Sequence, residues 1–294
     1  MTIAIKQLRP KQAGVTLVEL LIAMGLSVFL MAAVVQSFLG SKQSTDVVQA
    51  QARMQENARF AIMFITRSVR MAGFPSQLIP PDGLPDISIV DSNWRGALMP
   101  ANATFANFAE QAAVWGENGS STTVANLKSN TDVVHIRLQG MGDGSVTDCL
   151  GNNLLLDTWA VLSFYVDDTD NFRCRSDDGS GVAGSVQDVA LVQGIEELQV
   201  LYGLNAGVAG AADFDSSQVI RYATADQIAV TEWQFVSNVK VGLLSASDTE
   251  PLSRAAPART YTLLDQASAS YQDGKARQQF AQTMRLRNLN WNAR

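Results

Sequence analysis

Lys11-Gln12-Ala13-Gly14-Val15-Thr16-Leu17-Val18-Glu19-Leu20 opens an apolar run that continues to Leu39. Three features meet there: a basic leader (Lys6, Arg9, Lys11), a glycine, and Glu19 as the one charge between Val15 and Leu39. As a helix this run is roughly 37 Å long, enough to cross a hydrocarbon core of ~30 Å. A carboxylate left alone at that depth costs about 3 kcal/mol. Something must offset that cost.

A secretory signal peptide has a shorter apolar core and a small-residue cleavage site after it. Here the run is too long and the small residue, Gly14, precedes it. A plain membrane anchor fits the length but gives no reason to keep Glu19. The basic leader keeps its side of the membrane cytoplasmic, so the remainder is expected on the other side.

Gly14, an apolar residue, Thr16-Leu17-Val18-Glu19 and an apolar helix resemble the class III signal of type IV pilins and pseudopilins. Val15 stands where that family usually has Phe. The resemblance implies cleavage between Gly14 and Val15 by a prepilin peptidase, N-methylation of Val15, and a role for Glu19, with Thr16 and Leu17, in subunit assembly. The physical chemistry agrees. Cleavage creates an ammonium on Val15 at the membrane edge, and Glu19 of a neighbouring subunit supplies an anion at matching depth. Glu19 also lies near a helix N-terminus, where the macrodipole favours negative charge.

The chain has 294 residues, 47% apolar and 17% charged, which describes a folded protein rather than a disordered tether. Its formal charge is −6, and loss of the leader makes it more acidic. Nucleic acid, which needs a basic surface, is not an expected partner. Cys149 and Cys174 are the two cysteines. Outside the cytoplasm they are expected to form a disulfide, closing a loop of about 26 residues worth on the order of 3 kcal/mol. Two separate thiols are the alternative. With one histidine, His135, and no Cys-x-x-Cys, neither a metal site nor any cofactor is expected.

No proline occurs between Pro10 and Pro75, and Val47, Met54, Ala58, Ala61, Ile62, Ile65, Val69 and Ala72 keep a helical period. The spacing predicts one helix from Val15 to Ala72, about 58 residues, or two broken near Gly40-Ser41. Gly73-Phe74-Pro75 supplies the stop. This divides the chain into a leader (1–14), a helix (15–73) and a globular domain (74–294). The helix has a transmembrane or assembly half at 15–39 and an amphipathic half at 40–73.

Residues 74–130 read as loop-rich, with short helical pieces around Asn107–Trp115. Strands are expected at Asp132–Leu138, Trp159–Val166 and Phe172–Arg175, separated by loops at Gly140–Asn153 and Ser176–Gly184. Ile195–Leu204, Val236–Ser245 and Phe280–Asn288 predict an antiparallel sheet with one face on the long helix and one face wet. A short helix is expected at Asp226–Trp233. The fold class is α+β: one long N-terminal helix packed on a C-terminal antiparallel sheet domain.

Further stretches resemble the PilW group of minor pilins, itself related to the J-type pseudopilins of type II secretion. They are Met54–Ala61, Arg70–Phe74, Gly194–Gly203, Val239–Leu244 and Arg285–Asn288. The resemblance implies a non-enzymatic minor pilin, single-pass in the bacterial inner membrane with its domain periplasmic, and later in the pilus at the cell surface. Implied partners are other minor pilins, the major pilin and tip adhesin of the same pilus, the prepilin peptidase and the inner-membrane assembly platform. The implied role is priming assembly at or near the filament tip. A J-type pseudopilin and a tip module that binds surfaces are the alternatives.

Catalytic chemistry is poorly represented. A single histidine leaves little room for a Ser-His-Asp or Cys-His hydrolase, and no phosphate loop, dinucleotide fingerprint or zincin motif occurs. His135 reads as a structural strand residue. Asp167-Asp168-Thr169-Asp170-Asn171 and Asp177-Asp178-Gly179 read as solvated turns rather than calcium loops, lacking the spaced ligands and distant bidentate Glu. The tryptophans follow no stacking stripe and read as core or loop anchors.

Overall fold

The computed structural model describes residues 14–73, 112–121, 123–155, 158–178, 186–205, 218–248, 250 and 257–287. The leader residues 1–13, the proline-rich stretch at 74–111 and the C-terminal residues from 288 lie outside them. The chain divides into two compact units, Met1–Gln49 and Ala50–Arg294. One helix, α1 (Leu17–Met71), begins in the first and ends in the second. It starts two residues later than the apolar pattern alone predicts, because Thr16 takes the capping position. It passes Gly40-Ser41 without a break.

In the first unit the helix is exposed throughout except at Val47, which is half-buried. Val15, Leu17, Phe29 and Met31 are each more than 70% exposed. In the second unit the helix buries Ala50, Met54, Ala58, Ala61, Ile65, Ser68 and Val69, a single stripe at intervals of three and four. The small side chains of Ala58 and Ala61, fully buried, allow close approach. Ile65 and Val69 join one core cluster with Leu198, Val200, Val241, Leu243 and Met284. Asn57 donates to the Gln193 carbonyl at 2.9 Å. The helix ends at Gly73, whose φ of 70° is the left-handed cap that side chains resist.

Two antiparallel sheets share this core, where the pattern predicts one. The first is β1 (Val114–Glu117), β2 (Val133–Gln139), β3 (Trp159–Val166), β4 (Asn171–Asp177) and β5 (Gln187–Gln193), in that order. The second contains β6 (Ile195–Asn205), β7 (Val219–Ala223), β8 (Val236–Ala246) and β11 (Arg277–Arg285), ordered β11-β8-β6-β7. A hairpin pairs β9 (Arg259–Tyr261) with β10 (Ala269–Tyr271).

Four expectations need correction. Trp115 lies in strand β1 rather than in a helical piece, and 107–111 lies outside the described residues. The second sheet has no wet face along its centre, since β6 and β8 are buried almost throughout. The segment carrying β9 and β10 covers it: Leu263 and Leu264 sit over Gly242, and Gln279 donates to the Thr262 carbonyl. Asp226–Trp233 is two short 3-10 helices, Ala225–Gln227 and Val230–Phe235, because Ile228 and Ala229 between them are extended. The last strand starts three residues earlier than its apolar pattern, at Arg277, and Asn288 lies outside the described residues.

Gly194 alone carries the chain from the first sheet into the second. Its φ is 76°, its carbonyl accepts from the Ala246 N–H at 2.8 Å, and a Cβ there would sit 2.9 Å from the Ala246 oxygen. Both the backbone region and the contact oppose a side chain. Gly194→Ala is therefore expected to lower stability by about 1–3 kcal/mol, read from urea unfolding of the detergent-solubilised chain.

Candidate functional site

The helix N-terminus is built from Gly14 to Glu19. Thr16 donates its backbone N–H to Glu19 Oε2 at 3.0 Å and its hydroxyl to the same oxygen at 3.2 Å. The Glu19 N–H donates back to Thr16 Oγ1 at 3.3 Å. This is a reciprocal capping box, Thr at the cap and Glu three residues on. It gives the carboxylate partners within its own chain and closes two of the donors that open every helix. The Thr-x-x-Glu spacing carries this signal in the sequence, beside the dipole and intersubunit roles expected of Glu19. Val15 and Leu17 flank the cap, exposed. From there to Leu39 the helix carries no further charge and is apolar on every side. It is long and apolar enough to cross a membrane.

Cys149 and Cys174 are joined by a disulfide, their Cα atoms 6.5 Å apart. Cys174 is fully buried on β4, so the bond ties the loop after β2 to the sheet. Arg67 of the helix donates to Thr147 in that loop at 2.7 Å.

The acidic stretches are engaged by the protein itself. Asp167 accepts from the N–H groups of Thr169 and Asn171, from both their side chains, and from Arg173. Burial pushes its pKa up, but the hydrogen bonds from Asn171 and Thr169 hold it below the usual range. Asp170 pairs with Lys128 and faces Lys275 at 3.8 Å. Asp177 pairs with Arg175 at 3.2 Å. These groups shape the β3–β4 turn and its flank.

Strands β1, β2 and β3 bring together a cluster that no sequence spacing announced. His135 Nδ1 lies 2.8 Å from Ser163 Oγ, and its Nε2 lies 3.1 Å from Glu117 Oε1, with the Trp115 ring stacked 5.3 Å away. Hydroxyl, imidazole and carboxylate in a row is the order of a nucleophile, base and orienting acid. Ser163 and His135 are each only 1% exposed, however, so substrate does not reach the hydroxyl. The row is a hydrogen-bonded core cluster, with Thr123 also donating to Glu117.

Its consequence is a pH dependence. Burial lowers the His135 pKa below 6.5, more than Glu117 raises it. The unfolded chain then binds the extra proton first, and His135 costs stability as pH falls below 6.5. Asp132 acts in the opposite sense. Burial pushes it up to about 7, despite hydrogen bonds from the Val200 and Gly119 N–H groups, so its contribution is lost as pH rises through 7. Comparing the parent with His135→Gln isolates the histidine. Between pH 6.5 and 5 the parent is expected to lose up to about 1.4 kcal/mol per pH unit relative to the variant. Parallel curves in urea unfolding would contradict this.

Two family sequence models match the chain. One, described as Prokaryotic N-terminal methylation motif, covers residues 9–35; the other, Type IV Pilus-assembly protein W, covers residues 163–288. Among solved structures, the chain is similar to a type IV-like pilin from Thermus thermophilus. The two are 14% identical, with a TM-score of 0.41, and the similarity covers 81% of this chain and 98% of that one. No curated protein sequence matches significantly. An apolar helix opened by a methylation motif, with antiparallel sheets after it, defines the type IV pilin superfamily, and the chain belongs to it. Within that superfamily it is a minor pilin of the PilW type.

Proposed function

We propose that this chain is cut between Gly14 and Val15, methylated on Val15, and assembled with other minor pilins to prime the pilus at or near its tip. The observation that carries the reading is the N-terminus: a helical stretch, apolar to Leu39, whose one charge, Glu19, sits on the capping turn beside the proposed scissile bond. In the precursor that carboxylate is held by Thr16. After cleavage the new ammonium of Val15 adds a cation at the same level, and pairing it with Glu19 of the next subunit removes two buried charges together. The leader's positive charge favours a cytoplasmic N-terminus and a periplasmic domain. The expected partners are the other minor pilins, the major pilin and tip adhesin, the prepilin peptidase and the inner-membrane platform.

The domain's role is placement. Its disulfide and paired acids make it a rigid body whose size governs lateral fit. Deleting the chain while the major subunit is made normally tests the priming role. Surface pili are expected to fall by about tenfold, counted by electron microscopy. Undiminished piliation would contradict it.

A further inference from the structure

The second sheet ends on β11, and its hydrogen-bond phase can be read from both ends of the β8–β11 ladder. Leu286 donates its N–H to the Ser237 carbonyl, and Ser247 donates to the Ala276 carbonyl, each at 2.9 Å. Residues of an antiparallel strand alternate between bonding the neighbour and facing away. The even-numbered residues of β11 therefore bond β8, while Gln279, Ala281, Thr283 and Arg285 turn their N–H and C=O groups to the free edge.

Proteins normally blunt such an edge with a bulge, a proline or a charge. β5 and β7, also at sheet edges, are short, border register shifts, and carry Asp188 and Arg221. β11 holds nine residues in unbroken register with β8; its charges, Arg277 and Arg285, stand at its two ends, and Gln278 to Met284 between them contain neither proline nor charge. Ala281, Gln282 and Thr283 are exposed, and among the described residues no strand pairs with this edge.

We propose that the β11 edge receives an extended, carboxylate-bearing strand from a different subunit of the same assembly. Charge selects the occupant. Arg285 and Arg287 are exposed beside the edge and make no ion pair among the described residues, in a chain that is otherwise acidic. A second copy is the wrong partner. Antiparallel pairing about Ala281 sets Arg277 against Arg285, pairing about Gln282 sets Arg277 against Arg287, and pairing about Phe280 sets Lys275 against Arg285. Like charges directly opposite destabilise a strand pair. Arg277 is already engaged by Glu196 and Asp273. This inference rests on the assembly reading above and names the surface that assembly uses.

Two variants of the full chain test it. Ala281→Pro removes an outward N–H while leaving the β8 ladder, because position 281 faces away from β8. Arg285→Glu with Arg287→Glu reverses the flanking charge and leaves the edge backbone alone. Both are expected to melt within a few degrees of the parent, yet co-purify about tenfold less with the cell's other minor pilins, co-expressed and crosslinked. In the parent complex the Ala281 and Thr283 amides are expected to exchange more slowly than in the free chain. Parental co-purification by the charge-reversed variant overturns the proposal, even if the proline variant fails to fold. So does unchanged exchange at the edge amides, or a homodimer formed through β11. A parent that co-purifies with no pilus subunit overturns the assembly reading itself.

Discussion

Glu19→Ala is expected to be inserted and cleaved like the parent but to reach sheared pili at less than about a tenth of the parental amount. Breaking a buried ion pair by removing one partner costs several kcal/mol, and a tenfold loss needs only about 1.4 kcal/mol. The capping box adds a second consequence of that substitution, since Thr16 loses the carboxylate that accepts its N–H and hydroxyl. Glu19→Gln separates the two effects. Glutamine closes the same box but carries no charge. If the charge pair with Val15 of the neighbour governs recruitment, Gln is nearly as defective as Ala. If Gln restores recruitment, the cap is what matters and the intersubunit pair is not.

Gly14→Val is expected to abolish processing, leaving a precursor heavier by the whole leader on a gel. A Cβ built on Gly14 meets nothing within 4 Å of its own chain. The substitution therefore leaves the fold and the Thr16–Glu19 cap undisturbed, and loss of cleavage belongs to the peptidase's need for a side-chain-free residue. Normal cleavage of the variant would mean that the scissile bond lies elsewhere.

Both predictions come from the stretch that was most legible in the sequence. A long proline-free apolar run followed by a three-four period leaves little freedom, and helix α1 fills nearly the whole span the spacing predicts. β3, β6 and β8 were legible for a similar reason: long apolar or alternating runs with Asp167 after β3, Gly194 before β6 and Ser247-Asp248 after β8. β2, β4 and β11 were legible to within a few residues at their ends, whereas the side chains of β1, β5, β7, β9 and β10 report little. Most of β5 is exposed, and β7 alternates only weakly. The split into two sheets hinges on the backbone of one residue, Gly194, which alternation cannot register. The dry outer face of the second sheet depends on Leu263 and Leu264, distant in sequence from the glycine they cover. The Ser163–His135–Glu117 row is likewise a product of strand register, joining residues on three strands. Thr16–Glu19 was different. Its spacing is a helix-start signal, overshadowed by the intersubunit role of the acid.

Mass spectrometry of pili sheared from the native cell reads the processing of Gly14-Val15 and the incorporation of the chain in one measurement. A minor component is expected whose N-terminal peptide begins at Val15, carries one added methyl group and retains Glu19. A chain found only in the membrane, with residues 1–14 still attached and none in the filament fraction, would contradict it.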